Sequence, residues 1–116
     1  MHEIGMFQEA LGRALSQAAR HSARRVTAVT VQIGAASGVV PDVIEQAFAV
    51  LASDTIAAGA ALRLDLVPAQ CVCPQCGAAF IPADELRACS QCGALGATLV
   101  RGHEFGISAL EIESDT

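Results

Sequence analysis

Two Cys-x-x-Cys pairs, Cys73-Pro-Gln-Cys76 and Cys89-Ser-Gln-Cys92, each followed by glycine, constrain this chain more than any other feature. Two residues between cysteines let one tight turn bring both thiolates onto a single ion at Zn–S distances of about 2.3 Å, and two such turns complete a tetrahedron. Gly77 and Gly93 suit that turn, because a residue without Cβ adopts a left-handed conformation after the second cysteine and aims backbone amides at the sulfurs. A closed four-sulfur set leaves no position for water or substrate, so the spacing predicts a structural zinc ion on Cys73, Cys76, Cys89 and Cys92. The 12 residues between Cys76 and Cys89 are enough for a short hairpin, with Phe80 and Ile81 on one arm and Leu86 on the other. Cys71 stands too close to Cys73 for the same kind of turn. It is expected as a partly buried or free thiol, with substitution for Cys73 as a ligand the minor alternative. Five cysteines cannot all pair, which argues against a disulfide framework.

Around this segment the pattern is that of a small mixed fold. Ile4, Phe7, Leu11, Leu15 and Ala18 recur every three or four positions and predict an amphipathic helix from Ile4 to Arg20. The basic cluster Arg20, His21, Arg24 and Arg25 then reads as a solvated helix end that suits the negative pole of the dipole. Thr27, Val29, Val31 and Ile33 alternate with smaller or polar residues up to Gly34, a strand. Pro41 and Asp42 stand where a helix start wants them, Asp42 as a capping residue, and Ile44, Ala47, Phe48 and Leu51 form its apolar stripe. Leu62, Leu64 and Leu66 alternate in a second strand that stops at Pro68. Phe105 to Ile112 predicts a third, in which alternation alone leaves open whether Ile107 or Leu110 and Ile112 face the core. The expected architecture is α+β: two helices on a three-stranded sheet with an inserted four-cysteine zinc-ribbon module. Its domains are 1–69 plus 103–116, discontinuous, and a ribbon at 70–102.

The start of the chain carries a second metal-binding pattern. A retained Met1 leaves a free α-amine beside the His2 imidazole. That amine, the His2 backbone nitrogen and the His2 ring can close fused chelate rings around one ion, with Glu3 able to add an oxygen. Nitrogen donors in a plane suit nickel(II) or copper(II) better than zinc; the alternative is an incidental histidine. The net charge of -5 and an aromatic content of 3% disfavour nucleic acid, which is bound by positive charge and stacking platforms. No uncharged apolar stretch approaches the roughly 20 residues that cross a bilayer, and Met-His-Glu lacks a secretory leader, so a cytoplasmic location is expected. No nucleophile with its base, phosphate-binding glycine loop or pair of carboxylates points to an enzyme.

With Met1-His2-Glu3 opening a helix, Ile33-Gly34 closing a strand, Gly38-Val-Val-Pro41 leading into a second helix and paired knuckles before a final strand, the chain resembles the HypA/HybF hydrogenase maturation factors from end to end. The resemblance implies that His2 and Glu3, with the Met1 amine as a supplementary donor, carry labile nickel while the paired cysteines carry structural zinc. It further implies nickel delivery to the precursor of the [NiFe]-hydrogenase large subunit, with the nickel-handling GTPase HypB as partner. Members often show an acidic residue after the Ile-Gly pair, where Ala35 stands here. His103, beside Glu104, is expected as a loop residue. The competing reading is a zinc-ribbon protein-interaction module with no labile metal site.

Overall fold

A computed structural model describes residues 2–114, and of His2 the backbone alone. Its elements are α1 (His2–Arg20), β1 (Ala23–Gly34), α2 (Pro41–Leu51), β2 (Ala61–Val67), β3 (Gln70–Val72), β4 (Ala79–Phe80), β5 (Thr98–Arg101) and β6 (Phe105–Ser114). The helical spacing puts Phe7, Leu11 and Ala18 on one buried face of α1. That helix stops because Ser22 takes a left-handed φ of 62°, after which the chain reverses directly into β1. The start of α1 therefore lies over the end of β1, and Met6 to Arg13 flank a cavity with Phe105 and Gly106, where β6 begins.

β1 is the middle of a sheet ordered β2-β1-β6. It pairs in parallel with β2, from Ala28↔Ala61 to Gly34↔Val67, which requires the crossover that α2 supplies. Val26, Val29, Val31 and Ile33 face the helices and pack with Phe7, Ile44 and Phe48 into one apolar core. The opposite face is polar: Gln32 donates to Asp65 at 3.5 Å, Arg24 pairs with Glu113 at 2.9 Å, and Arg63 pairs with Glu111. Exposed pairs of this kind contribute about 0–1 kcal/mol each, so the core carries the stability.

Four details depart from simple alternation or capping rules. The pairing of β1 with β6 skips Arg24 and Thr27 on one strand and Ser108 on the other, three register shifts of the β-bulge kind. The Ser108 bulge turns both Ile107 and Leu110 toward the core despite their odd spacing, while Ile112 stays 42% exposed. In β2 the apolar alternation fails at its end: Leu66, on the edge strand, is 62% exposed although its partner Ile33 is buried, and Val67 is buried. α2 is entered from Val40 in an extended conformation with Pro41 at the start and no side-chain cap, so Asp42 lies in the first turn and does not cap by hydrogen bonding. Its charge still suits the positive helix end.

The second sheet is ordered β4-β3-β5. Cys71 pairs with both Phe80 and Leu99 at its centre. The expected hairpin between the arms carrying Phe80 and Leu86 does not form. β4 pairs instead with β3 across the first knuckle, and Leu86 sits in an irregular segment. Backbone groups freed by the Cys-x-x-Cys turn find their partners across that turn, which makes β3 and β4 the adjacent arms.

Candidate metal centre

Each knuckle is built the same way. Cys73 N–H donates to Ala78 O at 2.9 Å and Gly77 N–H to Cys73 O at 2.8 Å. In the second knuckle Cys89 N–H donates to Ala94 O at 2.8 Å and Gly93 N–H to Cys89 O at 2.9 Å. Gly77 and Gly93 hold φ of 76° and 78°, the left-handed region in which a Cβ would be strained. The segments entering and leaving the second knuckle are tied together, since Gly96 N–H donates to Leu86 O and the Arg87 guanidinium donates to Ala97 O at 3.2 Å.

These turns bring Cys73, Cys76, Cys89 and Cys92 together with all four sulfurs within 4.8 Å of one another. The Cys73–Cys92 and Cys76–Cys89 sulfur separations are both 3.6 Å. A tetrahedral ion with bonds of about 2.3 Å requires ligand sulfurs about 3.8 Å apart, so the cluster has the dimensions of a four-thiolate metal site. Cys73 and Cys89 are buried and Cys76 and Cys92 exposed, one of each per knuckle.

The backbone divides the thiols electrostatically. The Cys92 and Gln91 amides donate to Cys89 Sγ at 3.4 and 3.3 Å, and with the neighbouring thiols they bring its pKa down to about 6 against the opposing effect of burial. The Cys76 amide, followed by that of Gln75, likewise lowers Cys73. At Cys76 the Ala78 amide pulls downward but is outweighed by Cys89, burial and the remaining thiols, which push it up to about 12. At Cys92 the Ala94 amide pulls downward and is outweighed by Cys73, burial and Cys89, so its pKa is raised. Four thiols this close cannot all ionise without a cation among them, while the amides aimed at Cys89 are prepared for its thiolate.

Cys71 is fully buried, not partly, and lies outside the sulfur cluster. His103 lies in the irregular link between β5 and β6, and His21 in the exposed turn after α1. Of the residues expected to hold nickel, Met1 and the side chain of His2 lie outside the described residues, while Glu3 sits half-buried in the first turn of α1. One polar residue escaped the sequence reading: Glu104 accepts a hydrogen bond from Gly102 N–H at 2.8 Å through Oε1. A carboxylate two positions after a glycine was the available signal.

Comparison with known proteins agrees along the whole chain. The family described as "Hydrogenase/urease nickel incorporation, metallochaperone, hypA" matches residues 1–112. Similar curated proteins include the hydrogenase maturation factors HypA of Picosynechococcus sp., 36% identical over 97% of this chain and 99% of that one, and of Geobacter metallireducens, 39% identical over 97% and 100%. Among solved structures, the solution structure of the Ni metallochaperone HypA from Helicobacter pylori superposes with a TM-score of 0.68 at 19% identity, covering 97% of this chain and 98% of that one, a likeness of fold.

Proposed function

Because this chain belongs to the HypA family of nickel-incorporating maturation factors, we propose that it binds nickel(II) at its amino end through His2 and Glu3, with the Met1 amine as a further donor, and helps insert it into the precursor of the [NiFe]-hydrogenase large subunit. The family works by metal incorporation and is not a family of enzymes. The observation that carries the reading is the match over residues 1–112, which takes in the Met-His-Glu start as well as both knuckles. A transfer site benefits from few ligands on a terminal turn, since a closed cage would hold its cargo too long. Nitrogen donors from an amine, a backbone amide and an imidazole match the planar preference of nickel(II).

In the same reading Cys73, Cys76, Cys89 and Cys92 hold a resident zinc ion. The sulfur spacing fits it, and the ion would supply cohesion to a module whose own core is little more than Cys71 and Ala97. The two sheets support a division into a nickel-binding part, 1–69 plus 103–116, and a ribbon, 70–102. A role in hydrogenase maturation implies contact with other maturation proteins. The GTPase HypB and the large-subunit precursor are the partners proposed, and the cytoplasm the location. No helix among the described residues is long and apolar enough to cross a membrane.

Nickel titration of untagged, zinc-loaded protein tests this against His2→Ala and against a version with one residue added before Met1. Nickel affinity should fall in both by more than the about 10–100-fold that loss of an outer-shell partner costs, with zinc unchanged at one per chain. Equal nickel affinity in all three would leave a ribbon module without a labile site.

A further inference from the structure

The two links between the sheets cross at one point, and no side chain separates them there. Gly34 ends β1 against the returning link: a Cβ on it would lie 2.0 Å from Gly102 O and 2.8 Å from Glu104 N. Gly102, at a φ of +103°, faces the outgoing link, where a Cβ would meet Ala69 Cα at 2.5 Å. Any side chain at either position would force backbone from backbone. Hydrogen bonds close the crossing. Gly34 N–H donates to Glu104 O at 2.7 Å, Ala36 N–H to Gly102 O at 2.7 Å and Ala35 N–H to Val67 O at 2.8 Å.

Glu104 adds a side-chain contact to this backbone weave. Its Oε1 takes the Gly102 N–H at 2.8 Å, bracing the tight turn that leads out of β5 and into β6. Its own amide, the Gly102 amide and the positive charges of His103 and Arg101 hold its carboxyl below the usual range against burial, so it is an anionic acceptor at neutral pH. A freely reorienting connection is rich in solvated glycine and serine and makes few contacts with what it joins. Here the returning link is bonded to the 34–36 segment, and the outgoing link departs from Val67, which is bonded to it as well.

We propose that Gly34, Gly102 and Glu104 form a latch that fixes the thiol-bearing ribbon in one orientation on the β2-β1-β6 sheet, with Glu104 as its positioning residue. The start of α1 lies over the same end of β1, so the latch also sets where the sulfur cluster stands relative to the amino end of the helix. This inference needs no nickel, and its test therefore fails or succeeds separately from the nickel titration.

The test is residual dipolar coupling and 15N relaxation on the zinc-loaded full chain. Backbone amides of the ribbon strands and of α1, β1 and β2 should fit one alignment tensor and one rotational diffusion tensor. Glu104→Ala should require two tensors, with weaker alignment of the ribbon, while zinc stays at one per chain. Glu104→Gln, whose amide oxygen still accepts from Gly102, should restore the single tensor. Two independent tensors in the unaltered protein would overturn the proposal, as would a Glu104→Ala chain indistinguishable from it. Should Glu104→Ala fail to fold, the unaltered protein and Glu104→Gln decide, and two tensors in either refute the latch.

Discussion

Replacing Phe7 with alanine tests whether the first half of α1 is docked as described. Phe7 is 1% exposed and Phe48 6%, with ring centroids 6.4 Å apart at an interplanar angle of 46°. Removing a fully buried phenylalanine side chain costs about 3–5 kcal/mol, from lost transfer energy and the cavity left behind. Some of that, about 0.5–1.5 kcal/mol, belongs to the tilted pair itself and would appear as the coupling term in a Phe7/Phe48 double-mutant cycle. A domain of this size is stable by only about 5–15 kcal/mol, so Phe7→Ala removes a large share. Urea unfolding of zinc-loaded protein, followed by far-ultraviolet circular dichroism, measures it. Met6→Ala is the control: at 55% exposed, its loss should stay within about 0.5 kcal/mol. Zinc content should remain one per chain in both, because the four cysteines belong to the other sheet's surroundings. A Phe7→Ala loss below about 1 kcal/mol, or one equal to that of Met6→Ala, would refute the packing of α1 on the sheet.

Cys71→Ala should keep one zinc per chain at a cost of about 1 kcal/mol, whereas Cys76→Ser should lose the metal and collapse the dispersion of the ribbon amides; zinc assay with 15N correlation spectra reads both. If the ribbon is disordered without metal, its thiols titrate near their ordinary 9.0, and zinc uptake at pH 7 should release close to four protons, counted by calorimetry in buffers of different ionisation enthalpy. A preformed cluster would already have Cys89 ionised, with its pKa near 6, and the count would fall short of four.

What could be read from the sequence was what depends on near neighbours. The recurrence of Phe7, Leu11 and Ala18 predicted α1, and β-branched alternation predicted β1, because a helix or a half-buried strand advertises its period in a dozen residues. The convergence of the four thiols was legible for the same reason, since each knuckle is a local turn. Apart from Asp42, which was expected to cap α2 and does not, the misses are pairings or junctions. Ser108 and Thr27 are bulges that exist only against a strand some eighty residues away, so no alternation rule applied to β6 alone could show Ile107 and Leu110 on one side. Phe80 was matched to Leu86 by proximity in sequence, while its true partner, Cys71, lies across the knuckle. Leu66 reads as core and Val67 as solvent by alternation, and the structure reverses both at the edge of the sheet. Gly34 reads only as the end of a strand and Glu104 only as a carboxylate near a glycine, and their roles come from where two distant links cross.

The pairing of β6 with β1 also bears on the order in which the molecule assembles. β1, α2 and β2 form a compact crossover from neighbouring stretches of chain, but one edge of β1 must wait for a strand made some eighty residues later. Closing so long a loop is entropically slow, and the exposed edge is a hazard for aggregation in the interval. A ribbon already cinched by its metal shortens the flexible stretch between Val67 and Phe105 and lowers that closure cost. Supply of the ribbon's metal during synthesis should therefore govern the yield of folded protein through the rate at which the sheet is completed.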